Sequence, residues 1–338
     1  DQIDIRHDFG EGTPPTIRTG GDFTATAGSS ISGAIGSFLV AGGDLSLTAS
    51  NGAIGVDRLQ GSNIFVTASG AGSVEHAEAD NDFIASVASF RTGLNSIITG
   101  GNIIITAPGA VDLGNSTAGG YVSVDGESIQ FANIGAGGFV TLNASGTAPG
   151  AEGIAGGSID AGSSISLSGN SIALTGPVTG AGPLFATGTG GAVSISDADV
   201  AGSIVVAAVG NISGSYVSGG DILLTSDADI NASATANGGY ADAATGAIAD
   251  GNVFADAAGN ATLTDSGAAR MFGVNAGQAA TVTNATAGED LLVLAGTTAN
   301  LTNVTAGDDI DVRATGAIIA NGLDATGAGL DGFTINYV

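Results

Sequence analysis

Acidic side chains are the residues of this sequence whose type and spacing could do chemistry. One acidic run spans residues 75–82, and two acidic turns lie one repeat apart near residues 289 and 308. Calcium takes six to eight oxygen ligands, which stacked carboxylates and turn carbonyls can supply. Stacked like charges repel, so a bound cation or solvation must offset them. We therefore predict Ca²⁺ as the candidate cofactor, with ligands drawn from Glu75, Glu78, Asp80, Asp82, Glu289, Asp290, Asp308 and Asp309.

The sequence contains few residues that could form a catalytic site. The chain has no cysteine, and its two histidines, His7 and His76, lie outside any triad-like context. Carboxylates two residues apart share one face of a strand, as glycosidase or β-helical lyase chemistry would require. A lyase also needs clustered cations, whereas this chain has no lysine and six scattered arginines. We predict that the chain is not an enzyme and that its carboxylate pairs form solvated outward faces, at Asp197/Asp199, Asp227/Asp229 and Asp309/Asp311.

Composition narrows the class of protein and of partner. Thirty-two acids against six arginines give 338 residues a formal charge of −26, which disfavours nucleic acid and anionic membranes as partners. An apolar content of 43% is too high for a disordered chain. We predict no nucleic-acid binding because of this charge, and no membrane insertion because no apolar run has the length of a membrane span. The absence of cysteine fits an exported protein. The start at Asp1 without Met, together with the abrupt end at Val338, predicts an excised piece of something longer.

A repeated line of sequence organises these residues. Residues 218–225 read SGGDILLT, and near-copies recur as GGDFTATA at 20–27, GGDLSLTA at 42–49, GGNIIITA at 100–107 and GGFVTLNA at 137–144. Equivalent turn positions recur every 18 or 19 residues, as from Gly101 to Gly120 and from Gly120 to Gly138. A period near 18–22 residues with two or three short alternating strands corresponds to one turn of a β-solenoid.

We therefore predict an all-β fold, a single parallel β-solenoid over residues 1–338. Alternation directs Leu45, Leu47 and Ala49 inward, with equivalent residues in every coil forming ladders along the stack. Glycine at the corners permits positive φ and close backbone approach. About 16 coils at about 4.8 Å would make a rod roughly 75 Å long. Residues 1–19 form an irregular start or connector, and 73–98 and 231–259 form inserted or longer coils.

These Gly-Gly-Asp/Asn-apolar-x-apolar-Thr-Ala lines, the period of about twenty residues and the lack of cysteine resemble the repeat region of filamentous-haemagglutinin-like, autotransporter-type surface adhesins. The resemblance covers the chain from about Gly20. It implies a right-handed parallel β-helix and an exported protein of the Gram-negative cell surface. The family's N-terminal secretion domain, with its Asn-Pro motifs, is not visible in this sequence.

The function predicted from these features is structural: an extracellular or bacterial outer-surface β-helix that forms a stalk, fibre or filament for adhesion or matrix. The expected partners are other copies of the chain, through end-to-end or lateral assembly, or host and matrix glycans or proteins. One alternative is a β-helix that binds or cleaves carbohydrate through its Asp faces and Tyr121, Tyr216 and Tyr240. A second alternative is a calcium-dependent assembly module.

Overall fold

The structure is a computed structural model that describes residues 16–33, 35–93, 97–146, 153–240 and 250–326, and the backbone of residues 3–5 and 333–337. Its described part is all-β, without a helix. The chain forms two compact units, Asp1–Gly162 and Ser163–Val338. Together they hold about 15 turns of a parallel β-solenoid with coils of about 19 residues, as the repeat predicts.

The first unit holds eighteen described strands. In chain order they are β1 (Ile3–Ile5), β2 (Thr16–Thr19), β3 (Phe23–Ala27), β4 (Ile31–Gly33), β5 (Phe38–Ala41), β6 (Leu45–Ala49), β7 (Ile54–Gly61), β8 (Ile64–Ala68), β9 (Gly72–Ala79), β10 (Phe83–Ser86), β11 (Phe90–Thr92), β12 (Ile97–Thr99), β13 (Ile103–Thr106), β14 (Val111–Ala118), β15 (Val122–Gly126), β16 (Ile129–Ala136), β17 (Val140–Ala144) and β18 (Ile154–Ala161).

The second unit holds seventeen described strands. They are β19 (Ile165–Gly169), β20 (Ile172–Gly180), β21 (Leu184–Gly188), β22 (Val193–Val200), β23 (Ile204–Ala208), β24 (Ile212–Ser218), β25 (Ile222–Ser226), β26 (Ile230–Ala236), β27 (Val253–Ala257), β28 (Ala261–Ala268), β29 (Phe272–Ala276), β30 (Ala280–Ala287), β31 (Leu291–Ala295), β32 (Ala299–Ala306), β33 (Ile310–Ala314), β34 (Ile318–Ala325) and β35 (Phe333–Tyr337).

Each regular coil contributes one short strand and one long strand. Within each unit the short strands stack in parallel as one sheet, here called the short-strand sheet, and the long strands stack as a second one. In β30 the buried positions are the first, third, sixth and eighth. Strict alternation would bury the fifth and seventh instead, so the long strand bends at its middle and points side chains inward on both arms.

The core consists of apolar columns that run from coil to coil. In the first unit Phe83, Ile103, Val122 and Val140 occupy the same position on successive short strands, and all four are fully buried. The predicted inward residues Leu45, Leu47 and Ala49 are buried as well, which confirms the inward face read from the alternation. Each coil is too thin to bury these side chains alone, so its neighbours above and below complete the core.

The segments predicted to depart from the regular coils are largely built of paired strands. Residues 73–98 run through β9, β10, β11 and β12, with β11 and β12 together occupying the place of one long strand against β9. Residues 231–259 run from β26 to the turn after β27, and 241–249 lie outside the described residues. At the start, β1 pairs with β4 and β2 with β5, while 6–15 lie outside the described residues.

Glycine at the stacked turns is required by close approach of two coils. A β-carbon added to Gly137 would overlap the carbonyl oxygen of Gly119 in the preceding coil, and Gly296 stands in the same relation to Gly277. None of these four glycines has a positive φ. Of the two reasons the sequence suggested for turn glycines, close approach therefore applies at these positions.

Candidate functional site

Most turn carboxylates and amides of the first unit hold coils together. In several coils the residue before the short strand offers a side-chain oxygen to the backbone of the next coil, in a series that we call the turn ladder. Its hydrogen bonds run from Asp44 N to Asp22 Oδ1 (2.9 Å), Asp82 N to Asn63 Oδ1 (3.2 Å), Asn102 N to Asp82 Oδ1 (2.8 Å) and Tyr121 N to Asn102 Oδ1 (3.0 Å). These bonds satisfy turn N–H groups that the sheets leave unpaired.

The four candidate calcium ligands of the first unit take different positions around this ladder. Asp82 belongs to the ladder, and Glu78 contacts His76, with 2.9 Å between Oε1 and Nε2. Glu75 points outward from β9, and Asp80 lies exposed in the following turn. In the part of the chain that the structure describes, no group of three or more His, Cys, Asp or Glu side chains is placed to hold a metal ion. Calcium binding at these residues stays a prediction.

In the second unit one candidate ligand, Asp290, takes part in a turn ladder, and another, Glu289, pairs with an arginine. Asp309 N donates to Asp290 Oδ1 at 3.3 Å, and Asp308 is exposed. Glu289 accepts from Arg270 Nε at 2.9 Å, while Arg270 Nη1 lies 2.7 Å from Asp250 Oδ2. The hydrogen bond that Arg270 donates to Glu289, followed by the charge of Asp250, raises the pKa of Arg270 above its ordinary value. The guanidinium of Arg270 therefore pairs with one candidate ligand, Glu289, and with Asp250, which is not a candidate.

Substitutions of Asp82 distinguish a role in the turn ladder from a role in metal binding. We expect Asp82→Ala to lower the free energy of unfolding by about 1–2 kcal/mol, because two donors of Asn102 lose their acceptor. Asp82→Asn keeps a side-chain oxygen and should stay within about 0.5 kcal/mol of the wild type. Urea unfolding in EDTA and in calcium measures both. If Asp82→Asn and Asp82→Ala lowered the free energy of unfolding equally, and only in calcium, Asp82 would belong to a metal site instead.

A second polar ladder follows the bend of the long strands in the second unit. Asp265, Asn284 and Asn303 are the fifth residues of β28, β30 and β32, and each has a positive φ of 50 to 53°. Asn284 Nδ2 donates to Asp265 Oδ1 at 2.9 Å, and Asn303 Nδ2 donates to Asn284 Oδ1 at 3.1 Å. Asn, Asp and Gly tolerate this left-handed conformation best, and Gly322 takes the same place in β34. The recurrence of Asn, Asp or Gly every 19 residues is the signal that sequence reasoning missed.

The carboxylate pairs considered for catalysis do not share one environment. Asp197 and Asp199 are both exposed on β22. Asp229 Oδ1 accepts from Asn260 N at 2.7 Å and so belongs to a ladder between coils. Asp311 accepts from Arg313 Nη2 at 2.6 Å, and this hydrogen bond raises the pKa of Arg313. Of the two histidines, His7 lies outside the described residues.

The three tyrosines considered as a carbohydrate platform are not equivalent. Tyr216 is fully buried, and its hydroxyl donates to the carbonyl of Ser213 at 3.0 Å. Tyr121 stacks on Phe139 of the next coil at 4.6 Å between ring centroids and 8° between planes. Tyr240 is half-buried after β26. Burial removes Tyr216 from any platform and leaves Tyr240 and the pair Tyr121–Phe139, whose Phe139 is 39% exposed.

Burial raises the pKa of the Tyr216 phenol well above its ordinary value. The chain has no lysine or cysteine, so tyrosine is its side chain that titrates near pH 10. A raised folded-state pKa leaves stability intact below the unfolded value of about 10 and lowers it as pH rises beyond that value. Between pH 10 and 12 we expect a loss of about 1.4 kcal/mol per pH unit in urea unfolding. Tyr216→Phe should abolish the loss and Tyr121→Phe should retain it; the reverse result would contradict the assignment.

An exposed apolar surface lies on the short-strand sheet of the second unit. We call it the apolar stripe and define it as the outward second residues of five successive short strands, which pair in register: Phe185, Val205, Leu223, Phe254 and Gly273. Phe185, Leu223 and Phe254 are 44%, 41% and 39% exposed, respectively, which is unusual for a soluble β-surface.

The stripe contains a depression of about 260 Å³ over Gly273. Its walls are Leu223 and Phe254 on one side and Leu292 on the other. The Phe254 ring leans over the glycine, since a β-carbon added at Gly273 would lie 2.6 Å from Phe254 Cδ1. Beside it, Asn275 Nδ2 donates to Asp256 Oδ1 at 2.9 Å.

These features define the class of protein: an all-β repeat protein with the fold of a parallel β-solenoid. Comparison of the chain with protein-family models, curated proteins and solved structures finds no match in any of the three. Among the described residues no helix has the length and apolar character to cross a membrane.

Proposed function

We propose that this chain is a structural protein of the cell surface, a β-solenoid that serves as a stalk, fibre or filament in adhesion or matrix. The observation that carries the proposal is that the polar groups of one coil form hydrogen bonds with the next coil. Backbone groups and ladder side chains bond to the next coil, as Asn102 N does to Asp82 Oδ1. Inward residues stack in columns such as Leu184, Ile204 and Ile222. Such a molecule gains length coil by coil, which suits reach and multivalent display.

The resemblance to filamentous-haemagglutinin-like adhesins supports the same proposal and adds an exported, outer-surface location. The charge of −26 suits a soluble surface fibre. Its partners would be further copies of the chain, or glycans and proteins of a host or matrix surface.

Carbohydrate binding is the second candidate, and one observation favours it. The partly exposed Tyr121–Phe139 pair offers aromatic surface on which a sugar ring can stack. Glycan-array binding that disappears in Tyr121→Ala, but survives in Tyr216→Phe, would identify this pair as a carbohydrate site.

Imaging the purified chain tests the structural proposal. We expect elongated particles or filaments by negative-stain electron microscopy, and compact particles would contradict the proposal. Imaging in EDTA and in calcium adds a second readout. Filaments that dissolve in EDTA would establish calcium-dependent assembly, whereas filaments that persist would place assembly in contacts between chains alone.

Labelling of the cells that make the protein tests its location. An antibody against the chain should label intact cells as strongly as permeabilised ones. Labelling that requires permeabilisation would overturn the proposed surface role.

A further inference from the structure

When a second copy of the apolar stripe runs in the opposite stacking direction, the side-chain sizes of the two copies complement each other. Read along the stack, its residues are Phe185, Val205, Leu223, Phe254 and Gly273. Reversal about Leu223 places Phe opposite Gly, Val opposite Phe and Leu opposite Leu. Each Phe thus faces a smaller residue on either side of the central Leu pair, and Phe185, the most exposed of the five, faces the depression beside the Phe254 ring over Gly273. We propose that two copies of this chain pair face to face through the apolar stripe, about a two-fold axis parallel to β25 beneath Leu223.

Rotation about a two-fold axis parallel to a strand places the sheets of the two copies face to face. It reverses the order in which the strands stack, and it leaves the position of each residue along its strand unchanged. The second residues of the strands therefore meet second residues, and fourth residues meet fourth residues. In the partner, Ala207 then lies opposite Asp256, and Thr225 lies opposite its own copy. Such an isologous contact closes on itself and yields a dimer.

Charge favours a second copy as the occupant of this face. The chain carries 32 acidic residues, yet the outward second and fourth positions of β19, β21, β23, β25, β27, β29 and β31 include one ionisable side chain, Asp256. Asp256 already accepts a hydrogen bond from Asn275. Face-to-face pairing therefore places no two carboxylates directly opposite each other. A chain of charge −26 needs this in any contact with its own copy, because opposed carboxylates would repel.

The available area predicts a weak dimer. Seven short strands at about 4.8 Å and five residues at about 3.3 Å cover about 34 Å by 17 Å, or roughly 570 Å² per copy. A standard stable interface buries about 800 Å² per partner. We therefore expect a dissociation constant on the order of 100 µM. The inference deepens the proposed structural role, since it names the surface and the partner for lateral assembly.

Sedimentation equilibrium of the full chain, up to about 0.5 mM, tests the dimer. Leu223→Asp and Leu223→Lys each place like charges at the two-fold axis, and we expect each alone to raise the dissociation constant at least about tenfold. Their equimolar mixture should restore dimers, because Leu223 meets its own copy. Phe185→Ala, which removes the side chain facing Gly273, should weaken the dimer about fivefold or more. Ser46→Asp, an outward second residue on the short-strand sheet of the first unit, is the matched control and should change nothing.

A wild-type chain that stays monomeric throughout this range would overturn the inference, including the case in which the stripe binds a glycan instead. So would a dimer that Leu223→Asp leaves intact, or a mixture that fails to restore pairing. The outcome is separable from that of the proposed function, because particle shape and labelling of intact cells do not depend on Leu223.

Discussion

Replacing Gly137 by alanine is expected to destabilise its coils by about 3 kcal/mol, although the change adds one methyl group at a surface turn. The β-carbon would overlap the carbonyl oxygen of Gly119, so the two coils must separate. Separation strains the hydrogen bonds from Gly137 N to Ala118 O (2.9 Å) and from Gly138 N to Gly120 O (2.7 Å). Urea unfolding measures the total loss, and amide hydrogen exchange around residues 118–140 shows where it is concentrated.

Gly135→Ala is the matched control, two residues earlier on β16. A β-carbon there meets nothing closer than the Thr117 side chain at 3.8 Å, which is ordinary contact. Alanine restricts the unfolded chain, so this variant should equal the wild type or exceed it by up to about 1 kcal/mol. Equal stability of Gly135→Ala and Gly137→Ala would show that the coils are not packed as closely as their backbone positions indicate.

Truncating Leu224 to alanine is expected to cost about 3 kcal/mol of unfolding free energy. Leu224 is fully buried on β25, between Val206 of one neighbouring coil and Ala255 of the other. The substitution leaves a cavity in the column, which rigid coils on both sides cannot close. The same urea unfolding experiment, run on dilute protein so that association does not contribute, measures the loss.

Leu223→Ala is the control for this prediction, since the same residue type stands next to Leu224 but faces outward. Its side chain is 41% exposed, and the truncation should change stability by no more than about 0.5 kcal/mol. A larger loss at Leu223 than at Leu224 would mean that β25 is shifted by one residue, because a one-residue shift exchanges the two faces of a strand.

The sequence by itself determined the repeat, the strand type and the inward face of the short strands. Alternation such as Leu45, Leu47 and Ala49 is a property of five consecutive residues, so it can be read locally. The recurrence of equivalent turn positions every 18 or 19 residues then indicates that coils stack in register, because each coil buries the same positions.

The tertiary structure alone decided which polar residues meet. Asp221 Oδ1 accepts from Asn252 N, 31 residues away, whereas Asp82 accepts from Asn102 only 20 residues away. This variable separation hides the ladder from a period of 19 residues. Asp82 and Asp290, two of the acids predicted to bind calcium, accept hydrogen bonds from the turn backbone of the next coil, and the sequence alone does not distinguish them from an exposed acid such as Asp80.

The bent long strands and the apolar stripe also needed the tertiary structure. In β28, β30 and β32 the residue at the bend is left-handed, at Asp265, Asn284 and Asn303, and these residue types are equally common in ordinary turns. The size complementarity of the stripe depends on which outward residues share a column. Phe185 and Gly273 lie 88 residues apart in the sequence, yet strand register alone sets them four coils apart on one face. Local sequence specifies what faces inward, and register between coils specifies what lies side by side.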